Sequence, residues 1–176
     1  MRKKSWMFLM FVLPAIFSVG QEIDTLNSFV SFEVSNFRVN TVEGKLTGFE
    51  GDVLFDEQDL ENSYFNVCVD PGTINTGIEM RDEHLLEEDY FDVSRHPRIC
   101  FRSGSISPYE DGFLARGILK MKGIAREVNI PFKRSEEHVL WGNFEINRLD
   151  HGIGPSGGFL VGKTISISIY CAFKQD

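Results

Sequence analysis

Cysteine is scarce in this chain. There are three, Cys68, Cys100 and Cys171, and no two stand in CxxC spacing, which argues against zinc sites and dithiol redox motifs. The four histidines, His84, His96, His138 and His151, show neither HExxH nor HxH spacing, so no metal centre is expected. Basic residues are outnumbered, 18 Lys+Arg against 26 Asp+Glu, and no basic stripe interleaves with aromatics. A surface of that sign repels nucleic acid and anionic bilayers. Beyond the first residues there is no long apolar run, and no helical pattern alternates with strands. Membrane-spanning and parallel α/β readings are therefore set aside.

The N-terminus is a unit of its own. Arg2, Lys3 and Lys4 precede the apolar run Trp6–Phe17, and Ser18-Val19-Gly20 supplies small residues. These are the three parts of a secretory signal, with cleavage expected after Gly20. The run is shorter than the roughly 20 residues of a spanning helix and contains Pro14. Residues 1–20 are thus expected to be removed, leaving one exported, periplasmic or secreted domain over 21–176 that does not span a membrane. Loss of the three basic residues leaves 15 Lys+Arg against 26 Asp+Glu, a net charge of −11.

That domain reads in period two almost throughout. Val30, Phe32 and Val34 alternate with polar residues, as do Phe49, Val53 and Phe55, then Phe65, Val67 and Val69, then Ile99 and Phe101. Phe113–Met121, Val128–Phe132, Leu140–Ile146 and Thr164–Phe173 continue the pattern. Eight one-faced antiparallel strands predict an all-β fold closed into a barrel or stacked as a sandwich, and closure removes exposed edges. Only Ile78–Tyr90 departs from the pattern. Its spacing predicts a short helix inside the long connection between the third and fourth strands.

Catalytic motifs fail on context. Gly154-Pro155-Ser156-Gly157-Gly158 matches G-x-S-x-G, but a nucleophile elbow needs a strand before it and a helix after it, and this is a glycine-rich loop before a strand. No catalytic residue is assigned. Asp82, His84 and Arg148 form the group to test for an enzyme that uses the barrel interior as a substrate tunnel. Arg148, in register with Phe144 and Ile146, points inward. It either pairs with Asp82 or Asp150 as a structural clamp, or holds an anionic head group. Cys68 and Cys100 share an outward register on strands that a meander makes neighbours, which allows a disulfide without requiring one. Cys171 falls in an apolar register and reads as a buried small hydrophobe.

The ordered set Val42-Glu43-Gly44, Phe49-x-Gly51, Ile74-Asn75-Thr76, Arg81-Asp82-x-His84-Leu85, Tyr90-Phe91-Asp92-Val93 and His96-Pro97-x-Ile99-x-Phe101-x-Ser103 resembles the YceI-like family. So do Gly117-x-Leu119-x-Met121-Lys122-Gly123-Ile124, Phe144-x-Ile146-Asn147-Arg148-x-Asp150-x-Gly152 and Val161-Gly162. The resemblance implies an eight-stranded antiparallel, lipocalin-like β-barrel, exported by a bacterium, holding a polyisoprenoid or similar amphiphile without a cofactor. Family members often carry His-Ser before the first strand and a histidine just after it. Here Asn27-Ser28 and Asn36 stand in those places.

An inward face rich in phenylalanine selects apolar chains over sugars or nucleotides. The residues expected to contact such a ligand are Phe32, Phe49, Phe55, Phe65, Val67, Leu85, Phe91, Phe101, Phe113, Leu119, Phe132, Phe144, Ile146, Arg148 and Ile167. The Arg81–Pro97 segment is expected to be a lid, its Leu85, Leu86, Tyr90 and Phe91 closing the mouth while its acids face solvent. Expected, then, is a binding protein for a long-chain isoprenoid, quinone tail or fatty-acyl ligand. The alternatives are a ligand-free barrel acting on a partner protein and the lumen enzyme above.

Overall fold

Alternation in the sequence becomes sheet nearly everywhere in the computed structural model, which describes residues 20–36, 40–135, 138–156 and 161–174. The strands are β1 (Phe29–Asn36), β2 (Asn40–Leu46), β3 (Glu50–Leu54), β4 (Tyr64–Val69), β5 (Ile99–Tyr109), β6 (Gly112–Met121), β7 (Ile124–Arg134), β8 (Val139–Asn147) and β9 (Val161–Ala172). One helix, α1 (Glu79–Leu86), lies in the connection between β4 and β5. Residues 1–19 and the glycines 157 and 158 lie outside the described residues, and so does all of the expected leader but Gly20.

All pairings are antiparallel, in the order β2-β1-β9-β8-β7-β6-β5-β4-β3. From β3 to β9 the chain is a plain meander, and β9 returns beside β1. The sheet curls into a barrel whose last gap, between β2 and β3, carries no ladder among the described residues. Other segments cover those two edges. Gln21 N–H donates to the Val53 carbonyl at 2.8 Å, and the Gln21 amide exchanges hydrogen bonds with the Phe55 backbone at 2.8 and 3.0 Å. Lys45 and Asn75 exchange backbone bonds at 2.9 Å. Each edge is thus met at isolated points, which interrupts the open rows that invite aggregation.

The expected eight strands are thus nine, and the helical connection follows the fourth strand rather than the third. The missed strand is β2, whose inward positions are Val42, Gly44 and Leu46. Glycine leaves no apolar signal at the centre of that face. It is there because a Cβ on Gly44 would stand 2.2 Å from the Phe32 ring, which occupies that space instead.

Axial position divides the interior in two. At one end Phe55, Phe65, Phe113 and Phe132 pack edge-to-face and stacked, with centroid separations of 4.9 Å for Phe55–Phe113, 5.1 Å for Phe65–Phe132, 5.2 Å for Phe55–Phe132 and 5.5 Å for Phe113–Phe132. Such pairs are worth about 0.5–1.5 kcal/mol each beyond burial, so this end is a solid aromatic plug. At the same end Ser28, 1 % exposed, bonds through its hydroxyl to the backbone N–H and carbonyl of Ala172, pinning the start of β1 to the end of β9. Cys171 is buried beside it as expected, and burial pushes its thiol pKa up to about 12.

Candidate functional site

Between the plug and the α1 connection lies an apolar cavity of about 150 Å³, followed toward the plug by a second of about 60 Å³. Phe49, Val67, Phe101, Ile130 and Ile169 border both and form the partition between them. Dry apolar cavities of about 150 Å³ take a guest the size of benzene. In this closed form the main cavity therefore holds a short stretch of hydrocarbon.

Of the residues named from sequence, Phe32, Phe49, Val67, Leu85, Phe91, Phe101, Leu119, Phe144, Ile146, Arg148 and Ile167 line the main cavity. Phe65 and Phe132 reach the second cavity but not the main one, and Phe55 touches neither, being held among the plug rings. Phe113 is likewise a plug ring, set beside a shallow surface pocket at Tyr109–Phe113. Period two told which way these rings point but not how far along the axis they stand. The wall also includes residues outside that set. Ile165 and Ile169 were within reach, because they share the face of Ile167. Tyr90 and Ile153 lie outside any strand, where no period marks them as wall.

The cover is built from charged residues used locally. Helix α1 is flanked at its start by Ile78, which offers no side-chain cap. Instead the Asp82 carboxylate accepts from the Thr76 N–H at 2.9 Å and from its hydroxyl. Arg81 donates to the Thr76 hydroxyl oxygen at 2.7 Å and the Thr76 carbonyl at 2.8 Å. The Arg81-Asp82 pair thus fastens the entry to the helix. The acids Glu83 on α1 and Glu87, Glu88 and Asp89 beyond it are exposed, but Asp92 is not. It is 4 % exposed, bonded to Arg95 Nε at 2.7 Å and to the Ser94 hydroxyl at 3.2 Å, and so anchors the return to β5. Leu85, Tyr90 and Phe91 face the cavity beneath.

The end of β8 is more specific. Asn147 accepts the Leu149 N–H at 3.1 Å and starts a 3₁₀ turn, Arg148–His151, which Gly152 ends at φ +64°. Arg148 is 2 % exposed and lines the cavity, so its inward direction is as expected; its partners are not. It pairs with neither Asp82 nor Asp150. Nε donates to the Gly162 carbonyl at 2.8 Å, Nη1 to Ile153, and Nη2 to Pro155 at 2.8 Å and Val161 at 3.2 Å. Asp82 is engaged by Thr76, and Asp150 takes the Asn147 amide at 3.3 Å. The guanidinium ties the carbonyls of Ile153 and Pro155 to those of Val161 and Gly162 at the start of β9. Burial draws its pKa down from the usual arginine value.

This turn also covers a gap, because β7 and β8 pair only over Phe132–Arg134 and Leu140–Gly142. Arg126 Nε donates to the Asp150 carbonyl at 3.1 Å, Lys122 Nζ donates to the Gly152 carbonyl at 2.8 Å, and His151 Nδ1 lies 3.3 Å from the Ile124 carbonyl. Burial is the main cause that lowers the His151 pKa from its ordinary value. The proposed enzyme trio does not assemble: Asp82 serves Thr76, His84 pairs with exposed Glu87 at 3.0 Å, and Arg148 serves the loop. Among the described residues no three His, Cys, Asp or Glu side chains gather as a metal site. No helix among them is long and apolar enough to cross a membrane.

Cys68 and Cys100, opposite each other on β4 and β5, are joined by a disulfide. Its closed loop contains α1 and the whole cover.

Comparison with known proteins places the fold. The model of the YceI-like domain matches residues 21–173. A UPF0312 protein of Pectobacterium atrosepticum is 25 % identical over 119 residues, 67 % of this chain and 62 % of that protein, so the match spans less than two thirds of the relative. The crystal structure of Burkholderia cenocepacia BcnA superposes with a TM-score of 0.76 at 21 % identity, over 85 % of this chain and 98 % of that one. A polyisoprenoid binding domain from Saccharophagus degradans, implicated in plant cell wall breakdown, superposes with a TM-score of 0.63 at 12 % identity, over 85 % and 94 % of the two chains.

Proposed function

The chain belongs to the YceI-like family, and from that premise we propose that it is an exported binding protein that carries a long-chain isoprenoid or fatty-acyl ligand in its barrel. The observation that carries this reading is a cavity walled almost wholly by aliphatic and phenyl side chains and roofed by Leu85, Tyr90 and Phe91. The polyisoprenoid binding domain among its structural neighbours supports the same class of ligand. Export is supported by the basic and apolar start of the sequence, by the family match beginning at residue 21, and by a disulfide of the kind that persists in oxidising compartments.

Magnitudes favour a long chain. Each buried CH₂ contributes about 0.8 kcal/mol, against an association cost of about 4–15 kcal/mol. A fragment that only fills the main cavity hardly overcomes that cost. A longer chain does so once the partition rings, Phe49 and Phe101, turn aside and join the two cavities. Binding is therefore coupled to movement of the rings and of the cover.

Changing Leu85 and Phe91 together to serine removes two apolar groups worth about 1.5–3 kcal/mol each when buried. The Kd for a fluorescent hexadecyl-chain probe should rise at least about tenfold, with the circular dichroism unchanged. An unaltered Kd would rule out the lid role.

A further inference from the structure

Arg148 holds its loop in an unbalanced way. A guanidinium has five N–H donors. Four are used, one from Nε, one from Nη1 and two from Nη2, and every acceptor is a neutral main-chain carbonyl. Among the described residues none of the ion pairs includes Arg148. A full positive charge thus stands 2 % exposed in the wall of an apolar cavity, with one Nη1 N–H uncommitted. A Cβ on Gly154 would lie 3.1 Å from that nitrogen and 2.8 Å from the Tyr90 ring, so only glycine lets the phenol ring and the guanidinium pack this closely over the main chain, and both side chains border the main cavity. Holding the loop alone would be served by a neutral donor, without the desolvation cost of a charge.

Resting on the reading of the barrel as a lipid carrier, we infer that the ligand carries an anionic head, a carboxylate or phosphate, seated against Arg148 beneath Tyr90, with its chain running toward Phe101 and the second cavity. The shared chemistry is an oxyanion on a long apolar chain. Charge-assisted bonds of guanidinium to such groups are about twice as strong as neutral ones. The exterior does not help, since the chain's net charge of −8 repels an approaching anion. Selectivity arises only at the wall itself.

The test uses the unaltered protein and matched pairs of probes: hexadecanoate against hexadecanol, and geranylgeranyl phosphate against geranylgeraniol, each titrated at neutral pH in about 0.15 M salt, where surface charge is largely screened. A purely apolar lumen prefers the alcohols, because an ionised head is harder to desolvate. With the Arg148 charge in the wall, the anionic member of each pair should bind at least about tenfold tighter. Tight binding of one anion class only would identify the source, carboxylate or phosphate, and still support the inference. Equal affinities, or a preference for the alcohols, would overturn it while leaving the carrier reading intact. Failure of all four probes to bind would overturn the carrier reading and the inference with it.

Discussion

Arg148→Met should lower stability by about 3–5 kcal/mol. The methionine fills much of the stem volume, but it withdraws four hydrogen bonds from a charged donor, each worth about 1.5–3 kcal/mol. Water can partly replace the guanidinium at Pro155, which is exposed, whereas the carbonyl of buried Ile153 is left without its partner. Relief from desolvating the charge offsets some of the loss. The expected result is a lower midpoint in urea with an unchanged slope, and a melting temperature reduced by roughly 10 °C. Arg148→Lys should recover only part, because an ammonium lacks the planar fork that reaches carbonyls on both sides of the loop. A midpoint equal to wild type would mean that the loop needs no central cation.

Loss of the Cys68–Cys100 disulfide, by reduction or by changing both residues to serine, should cost a similar amount. The half-cystines are 32 residues apart, and the chain-entropy relation for a loop of that length gives about 3–4 kcal/mol. Because α1 and the cover lie inside the closed loop, reduction should also release the base of the cover and speed ligand dissociation. Thiol counting provides an independent check. Without reductant the native protein should not react even with excess thiol reagent, since its one free cysteine is buried and burial holds its pKa near 12. Denaturation should expose one thiol without reductant and three with it. Three thiols in the unreduced, denatured protein would show that the bridge is absent.

What could be read in advance follows from the geometry of a strand. Period two tells which face a side chain takes, and that sufficed for the all-β fold, for the inward course of Arg148, and for the shared face of Cys68 and Cys100 on neighbouring strands, although Cys68 also borders the main cavity. It tells nothing of height along a barrel axis, which depends on the register between strands. Hence Phe55 and Phe113 looked equivalent to Phe101, although register puts them in the plug and Phe101 in the partition. Period also fails where a side chain is replaced by space. Gly44 hid β2, because the group that fills its position belongs to Phe32 on the neighbouring strand. The partners of Arg148 were out of reach for a third reason. They are main-chain carbonyls, two in an irregular stretch at Ile153 and Pro155 and two at the start of β9, and such acceptors leave no trace in residue identity.

Native mass spectrometry of the protein, produced from its full sequence in a bacterial host, purified without detergent and then extracted with organic solvent, tests the carrier directly. If the lumen receives a chain, the native species should hold about one long-chain lipid per protein molecule, recovered in the extract and absent after denaturation. A bare polypeptide mass, with an extract empty of lipid and no uptake when long-chain probes are added back, would contradict it and leave the barrel a packed body whose cavities are only imperfections of its core.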